Sequence, residues 1–285
     1  MIYGCSYEEV REKEIERKAG VEKTAGFFLM LFIVAGTFAV VYGILYVANL
    51  IHPVLRFCLE TFFIYQILAT KSLKTESMKV YKKLKEGDLI GARKEVSYLV
   101  GRDTENLDES EVAKADVETI AENTADGVIA PMLFIAIGGA PLGFAYKAVN
   151  TLDSMVAYKN EELINIGFFS AKMDDICNFI PARFAAVMLM IASLILRFDF
   201  KGAVKIFKRD RFAHLSPNSA QTEAVAAGAL QIQLGGTHNY FGKAVVKPTI
   251  GDDIRPVEYE DIKRTNQLLY VSAVLSMAVC CLITF

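Results

Sequence analysis

The chain alternates long uncharged stretches with charged, polar segments. Phe27 to Ile51 and Gln267 to Phe285 carry no charged side chain. At about 1.5 Å per helical residue, such stretches are long enough to cross most or all of a hydrocarbon core of roughly 30 Å. We therefore predict a membrane hairpin over residues 27–70 and a C-terminal membrane helix over 267–285. The hairpin should break at His52-Pro53, because proline disfavours helix at the residue before it.

The central apolar stretch from Val128 to Tyr146 is also uncharged, but glycine and proline interrupt it. Gly138-Gly139 and Pro141 predict a broken or re-entrant helix rather than a plain span. This stretch belongs to a predicted membrane core over 127–199. Polar helical segments are predicted over 71–126 and 200–266, so residues 1–285 form a single membrane-embedded domain of the polytopic all-α class. Basic residues before 27 and after 70 place both ends of the hairpin in the cytoplasm by the positive-inside rule.

Within the first polar segment, a helix is predicted to stop at Gly87-Asp88 and a second helix to follow it. A third helix is predicted to begin at Asp108 and run toward Gly127. Asp108 and Glu111 have the spacing of a capping box, in which each side chain bonds a backbone N–H of the other. A loop with the sequence GRDT precedes this helix.

Four acidic residues of that third helix, Glu111, Glu118, Glu122 and Asp126, fall within an arc of about 80° at helical periodicity. A solvated acidic face is the ordinary explanation. The alternative is a functional site, because the helix runs directly into the apolar Val128 stretch, where water screens charge poorly.

Composition supports a membrane protein and excludes one class of function. The chain is 53% hydrophobic with a mean hydropathy of +0.31, while its formal charge of −2 and the absence of a basic block argue against nucleic-acid binding. Ala115 to Arg183 holds nine acidic and four basic residues, a balance that suits divalent cations. The five cysteines follow no metal-ligand spacing, so we interpret them as reduced and structural.

Further polar groups lie within the predicted membrane core. Asp174-Asp175 with Asn178 one turn later can offer oxygen ligands to Mg²⁺, although placement of charge at a helix end is an alternative. Lys147 and Arg183 can bind phosphate or carboxylate, or can reach lipid headgroups instead.

The last polar segment carries His214, Ser216 and Asn218, then an amphipathic helix predicted from about Gln221 to Leu234, then Gly235-Gly236. Small residues with free N–H groups in a loop can cradle phosphate, but a lone Gly-Gly is a weak signal. His214 could equally be a loop histidine with satisfied hydrogen bonds. No Walker loop, GxSxG, Rossmann fingerprint or HExxH is present. The motifs therefore indicate a membrane enzyme that handles Mg²⁺ and phosphate.

Six motifs in order resemble those of the adenosylcobinamide-phosphate synthase family, the membrane-bound amide ligases of cobalamin biosynthesis, over roughly residues 50–265. They are GRDT (101–104), VETIAEN (117–123), APM with GGAPLGFAYKAVNTLDSM (130–155), SAKMDDICNFIPAR (170–183), HLSPNSAQTEAVAAGAL (214–230) and LGGTHNYFG (234–242). The usual N-terminal motifs of the family are not matched, since His52-Pro53-Val54 follows the first long apolar stretch. A first membrane helix is expected to be missing, or the chain to start late.

The resemblance implies a ligase that uses ATP and Mg²⁺. It would join adenosylcobyric acid, a corrinoid, to 1-amino-2-propanol or its O-phosphate, giving adenosylcobinamide or its phosphate. Such a condensation needs an activated carboxylate, most simply an acyl phosphate, and catalysis would be mostly positioning and electrostatics. The expected partners are these substrates and the lipid bilayer of the cytoplasmic membrane, with the site facing the cytoplasm. A homo-oligomer, or a complex with other enzymes of the pathway, is left open.

Three groups of residues follow from this resemblance and from the residue types. The expected catalytic residues are Glu118, Glu122, Asp126, Lys147, Asp153 and His214. The expected substrate-binding residues are Arg102, Asp103, Asn123, Asn150, Arg183, Ser216, Asn218, Gly235 and Gly236. The expected metal ligands are Glu122, Asp174, Asp175 and Asn178.

Two other functions fit parts of the pattern. One is a non-catalytic membrane sensor on the same scaffold, resembling the β-lactamase-induction protein AmpE, against which the full acidic set argues. The other is a membrane prenyltransferase using Mg²⁺ bridges to a diphosphate, for which the expected repeated aspartate motifs are not found.

Overall fold

The computed structural model describes residues 7–156, 165–240 and 242–284, with side chains described from 18 to 282 within these ranges. Lys159, Glu161 and Glu162 of the acidic stretch lie outside them. The described chain consists of helices and one β-hairpin. The elements are α1 (Tyr7–Ile51), α2 (Pro53–Ile67), α3 (Thr70–Lys85), α4 (Leu89–Ser97), α5 (Glu109–Asn123), a π-helical segment (Thr124–Ile129), α6 (Ala130–Val156), α7 (Phe168–Ile195), α8 (Phe200–Asp210), α9 (Ser219–Leu230), β1 (Leu234–Tyr240), β2 (Lys243–Ile250) and α10 (Glu260–Thr284).

Among the residues that the structure describes, four helical stretches are long and apolar enough to cross a membrane: Lys18–Ile51, Glu109–Val156, Phe168–Ile195 and Glu260–Leu282. The prediction of a polytopic, predominantly helical membrane protein is confirmed. The chain divides into two compact units. Unit 1 is formed by Met1–Ile64 and Gly138–Cys177, and unit 2 by Tyr65–Ile137 and Asn178–Phe285.

In unit 1, the predicted break of the central apolar helix is confirmed. Gly138 and Gly139 have non-helical dihedrals inside α6, and Gly139 has a φ of +65°. A Cβ at Gly139 would lie 2.6 Å from Glu60 Oε1, so a side chain at this position would clash with that carboxylate as well as strain the backbone. The carboxylate also lies 3.5 Å from the backbone N of Ala140, where the helix resumes.

In unit 2, α5 lies within the core. Its N-terminus has the predicted capping box: Asp108 accepts from the N–H of Glu111 at 2.8 Å, and Glu111 accepts from the N–H of Asp108 at 2.8 Å. From Ala115 to Ala121 every residue of α5 is buried. A solvated acidic face is therefore excluded for Glu118, whereas Glu111 at the start of the helix is exposed.

The helix α9 departs from the prediction. It ends at Leu230, where Gln231 adopts a left-handed conformation with a φ of +59°, and all of its residues are buried. An amphipathic helix to Leu234 was the wrong expectation. The reason is that alanine and glycine allow close packing on every side. A Cβ at Gly228 would lie 2.4 Å from the carbonyl oxygen of Gly202 in α8.

After α9, the chain forms a two-stranded antiparallel hairpin, and Gly235 and Gly236 lie in its first strand rather than in the expected loop. The register pairs Leu234 with Ile250 and Tyr240 with Lys243, and an irregularity lies between Gly235 and Gly236. Because side chains alternate along a strand, His238 lies on the same face of the hairpin as Lys247, two positions away in the register.

Candidate functional site

The centre of the site is Glu118 on α5, which has two different partners. One carboxylate oxygen accepts from a guanidinium Nη of Arg102, and the other accepts from the backbone N–H of Gly235 at 2.7 Å. The Arg102 and Glu118 side chains are only 7% and 10% exposed. This ion pair is withdrawn from water, so it joins the GRDT loop, α5 and β1 strongly.

Glycine is required at 235 for this geometry. Its φ of +74° lies in the left-handed region, and a Cβ there would lie 2.3 Å from the carbonyl oxygen of Pro248. The conformation turns the Gly235 N–H toward Glu118 instead of into the strand ladder.

The imidazole of His238 lies on the other side of Arg102. Arg102 Nη1 is 2.9 Å from His238 Nδ1 and 3.1 Å from His238 Nε2, and because a guanidinium only donates, the imidazole is the acceptor of this contact. Burial, then the positive charge of Arg102, lowers the pKa of His238 to about 4. His238 is therefore neutral at physiological pH.

Glu122 lies one turn after Glu118 and contacts the start of α9. Its Oε1 accepts from the Ser219 hydroxyl at 2.7 Å. The loop before α9 holds His214, whose Nδ1 accepts from the backbone N–H of Ser216 at 3.0 Å. Burial lowers the pKa of His214, although the charge of Glu122 opposes this shift.

Glu223 lies on α9, one turn after Ser219. It is 6% exposed, and its carboxyl forms no hydrogen bond with the described part of the chain. Burial, followed by the charges of Glu122 and Glu118, raises the pKa of Glu223 well above its usual range. Burial therefore makes the Glu223 carboxylate more basic than an exposed one.

Lysines complete this group of residues. Lys247 acts electrostatically on His214, Glu223 and His238. Lys114 is close to Arg102 and Glu118, and its Nζ lies 3.9 Å from the place a Cβ would occupy at Gly236. We call the following set the acid–base cluster: Arg102, Lys114, Glu118, Glu122, His214, Glu223, His238 and Lys247. All of its members belong to unit 2.

Several predicted substrate-binding residues border the cluster in unit 2. Asp103 accepts from the N–H of Gly242 at 2.7 Å and donates its own N–H to the carbonyl of Asn239, tying the GRDT loop to the end of the hairpin. Arg183 donates to Asn218 Oδ1 at 3.3 Å and lies over the ring of Phe179. These contacts leave the proposed roles in substrate binding open.

Three more predicted residues of unit 2 lie on its helices. Asn123 donates from its amide to the carbonyl of Thr119 at 3.0 Å. Asp126 lies in the π-helical segment that follows α5, a type of irregularity frequent at functional sites. Asn178 lies on α7 and is fully buried.

The remaining predicted residues belong to unit 1: Lys147, Asn150, Asp153, Asp174 and Asp175. Lys147, Asn150 and Asp153 lie on α6 after its break, and Asp174 and Asp175 lie on α7. Because they are in the other unit, their participation in the same site as Glu118 stays a prediction.

Sequence reasoning missed four members of the cluster: Lys114, Glu223, His238 and Lys247. His238 and Glu223 are inside motifs that carry the family resemblance, so attention to every titratable residue in those motifs would have included them. Lys114 precedes Glu118 by four residues on α5, so helical periodicity could have included it. Lys247 has no such signal, because only the register of the hairpin brings it near His238.

Among the described residues, no group of three or more His, Cys, Asp or Glu side chains is arranged to hold a metal ion. We therefore assign Mg²⁺ no ligands. A hollow of about 400 Å³ beside α8 is separate from the acid–base cluster. Its polar residues pair with one another, as in the contact of Lys205 with Asp252 at 2.9 Å.

Comparison with known proteins identifies the family. The family model described as CobD/Cbib protein matches residues 5–269. This chain belongs to the CobD/CbiB family. The Cobalamin biosynthesis protein CobD of Clostridium perfringens (strain 13 / Type A) is 55% identical over 261 residues, which cover 92% of this chain and 83% of that protein.

Other relatives in the CobD/CbiB family have similar coverage. The Cobalamin biosynthesis protein CobD of Streptococcus sanguinis (strain SK36) is 52% identical, covering 88% of this chain and 80% of that protein. The Cobalamin biosynthesis protein CbiB of Salmonella choleraesuis (strain SC-B67) is 46% identical, covering 90% and 80%. No solved structure matches the chain. The expected family is thus confirmed.

Proposed function

We propose that this CobD/CbiB-family protein is an ATP- and Mg²⁺-dependent amide ligase of cobalamin biosynthesis. It joins adenosylcobyric acid to 1-amino-2-propanol or its O-phosphate through an acyl phosphate. The observation that carries the proposal is the acid–base cluster, in which three basic side chains face three carboxyl groups inside unit 2. Family membership supports the pathway, and the cluster supports the type of chemistry.

The basic side chains of the cluster suit the anionic reactants. Arg102, Lys114 and Lys247 can neutralise a triphosphate or a transferring phosphoryl group, where charge spreads over several oxygens. Arg102 is held in place by Glu118, so its guanidinium keeps its orientation without a substrate. The fixed position reduces the reorganisation needed when an anion binds.

The carboxyl groups suit the amine substrate. An amine arrives at neutral pH largely as an ammonium ion, which carboxyl groups recognise through charge and hydrogen bonds. ATP supplies the phosphoryl group that activates the corrinoid carboxylate. Magnesium would accompany the phosphates of ATP.

The location follows from the membrane helices and the charge pattern. We propose that the protein lies in the cytoplasmic membrane with the acid–base cluster open to the cytoplasm, where ATP is found. The lysines of α3 support this orientation, since basic residues favour the cytoplasmic side.

The function is tested by incubating the purified protein with ATP, Mg²⁺, adenosylcobyric acid and either amine, and measuring product mass. The expected product is adenosylcobinamide or its phosphate, with phosphate released only when the corrinoid acid is present. Glu118→Gln should abolish product. Binding of the corrinoid without ATP turnover would instead favour a sensor, and transfer of a prenyl group would favour a prenyltransferase.

A further inference from the structure

Among the carboxyl groups of the acid–base cluster, Glu223 differs from Glu118 and Glu122 in having no hydrogen bond from the described residues. Both Glu118 oxygens are occupied, by Arg102 and by the Gly235 N–H, and Glu122 accepts from Ser219. Glu223 is 94% buried by contrast, and it has no hydrogen bond from the described residues. Asp116 also lacks a hydrogen bond, but Glu223 lies among the charged side chains of the cluster, so Glu223 is the acid positioned to meet a charged ligand.

Helix geometry directs Glu223 toward the other carboxyl groups. Glu118 and Glu122 are one turn apart and share a face of α5, and Ser219 and Glu223 share a face of α9 in the same way. The hydrogen bond from Ser219 to Glu122 brings these two faces together. The charged and titratable groups that act on Glu223 are Glu118 and Glu122 from α5, Lys247 from β2 and Arg102 from the GRDT loop, with His214 in the loop before α9.

We propose that Glu223 binds the ammonium group of the amine substrate and accepts the proton that this nitrogen must lose before it forms the amide bond. The inference rests on the proposed function, because it assumes an amine and an acyl phosphate. An ammonium needs only one or two oxygen acceptors, whereas a protein-held metal needs more ligands than the described residues arrange together.

The proton balance of the step is complete. The ammonium ion gives one proton to the Glu223 carboxylate, and the nitrogen lone pair forms a C–N bond at the acyl carbon. The bond between the acyl carbon and the phosphate oxygen breaks, and its electron pair leaves with the phosphate. A second proton passes from nitrogen to the phosphate, and Glu223 releases its own to water. Acyl phosphate and alkylammonium thus give amide, hydrogen phosphate and one proton.

The raised pKa of Glu223 fits this role. A general base works best when its pKa lies near the operating pH, and burial raises the pKa of Glu223 above that of an exposed glutamate. When an ammonium ion binds to the Glu223 carboxylate, one of the ammonium protons can pass to the carboxylate oxygen.

The test compares two nucleophiles in wild type and Glu223→Gln. Hydroxylamine is largely unprotonated at neutral pH and captures acyl phosphates as hydroxamates without a base. Glu223→Gln should lower amide formation by about 10²- to 10⁴-fold, while hydroxamate formation stays at the wild-type rate. Asp116→Asn is the matched control, because Asp116 is another buried acid of unit 2 without a hydrogen bond, and it is not among the charged groups that act on His214, Glu223 or His238. It should leave both rates unchanged.

Each outcome decides the question. Equal loss of amide and hydroxamate would assign Glu223 to carboxylate activation and overturn the proposal, as would unchanged amide formation. If wild type formed neither product, the proposed function would fail, and binding of aminopropanol measured by calorimetry would then test Glu223 alone. Weaker binding to Glu223→Gln supports the ammonium site, and equal binding refutes it. If Glu223→Gln does not fold, Glu223→Asp, which keeps a carboxyl group, takes its place in the same comparison.

Discussion

At the scale of residues, the site depends on a buried ion pair. Arg102 and Glu118 are nearly inaccessible to water, and each neutralises the other. Removing one member leaves an uncompensated buried charge, whereas removing both leaves neither. The pair therefore contributes to folding as well as to the arrangement of the cluster.

Arg102→Met should reduce the free energy of unfolding by about 3–5 kcal/mol, because Glu118 is left buried without its cation. The double variant Arg102→Met/Glu118→Gln should recover part of this loss. Thermal and denaturant unfolding in detergent measures both. If the losses of Arg102→Met and Glu118→Gln simply added in the double variant, the two side chains would not be coupled.

His238 gives the fold a defined pH dependence. Its pKa is about 4 in the folded protein and roughly 6.5 in an unfolded chain. The unfolded state therefore binds more protons in this window, so the stability contributed by neutral His238 is present above pH 6.5 and is lost as the pH falls toward 4. His238→Gln should show a smaller decrease in melting temperature between these values. An identical pH profile in both proteins would contradict the assignment.

The pH dependence of stability that is due to Glu223 has the opposite sign to that of His238. Its pKa is raised in the folded protein, so the folded state holds a proton that the unfolded state has lost. Stability due to protonated Glu223 is complete below the pKa of an exposed glutamate, roughly 4.3. It should fall by up to about 1.4 kcal/mol per pH unit as the pH rises toward the folded pKa. Glu223→Gln should remove this slope from the unfolding free energy, and a slope equal to that of wild type would show that the carboxyl is ionised in the fold.

At the scale of elements, the contact between α8 and α9 depends on two glycines. A Cβ at Gly202 would lie 2.6 Å from the carbonyl oxygen of Gly228, and a Cβ at Gly228 would lie 2.4 Å from the carbonyl oxygen of Gly202. Backbone cannot yield as a flexible side chain does, so these helices can approach this closely only with glycine at both positions. The contact fixes α9, which carries Ser219 and Glu223.

Gly228→Ala should therefore destabilise the protein by about 1–3 kcal/mol, the usual cost of overpacking. Gly36→Ala in α1 is the control, because a Cβ there meets nothing within 4 Å. Alanine has the higher helix propensity, so this control should be neutral or slightly stabilising. Melting temperatures of the two variants measure the difference, and equal values would argue against close packing of α8 on α9.

At the scale of the whole molecule, the distribution of charged residues predicts the membrane orientation. Lys82 on α3 is 74% exposed and lies among other lysines, which predicts the cytoplasmic side. His52 follows the end of α1 and is predicted at the opposite surface. These positions allow the orientation to be measured without knowledge of the substrate.

A membrane-impermeant maleimide should label Lys82→Cys in inverted vesicles and not in intact cells, after subtraction of the wild-type signal. His52→Cys should show the reverse pattern. Labelling of Lys82→Cys from outside would place the predicted cytoplasmic segments on the wrong side, and ATP could not then reach a site near α3 in the proposed way. Asn150→Cys should label from the cytoplasmic side as well, and labelling only from outside would refute a site shared with Glu118.

Local features of this protein were predictable because they depend on neighbours in the sequence. The capping box of Asp108, the helix end near Gly87 and the break at Gly138-Gly139 are set by backbone preferences and by side chains a few positions away. The acidic face of Glu118 and Glu122 follows from helical periodicity in the same manner. Family membership also followed from residues alone, since six motifs occur in the right order.

The partners of those residues were decided by the tertiary structure. Gly235 lies 117 positions after Glu118, and His238 lies 136 after Arg102. Whether they meet depends on the packing of α5 against α9 and on the hairpin that begins at Gly235. The sequence by itself determined that acids and bases would be present at a membrane-associated helix. Only the packing determined which acid is paired, which histidine is neutral and which glutamate is left to bind a ligand, because burial and charge contacts arise from segments far apart in the chain.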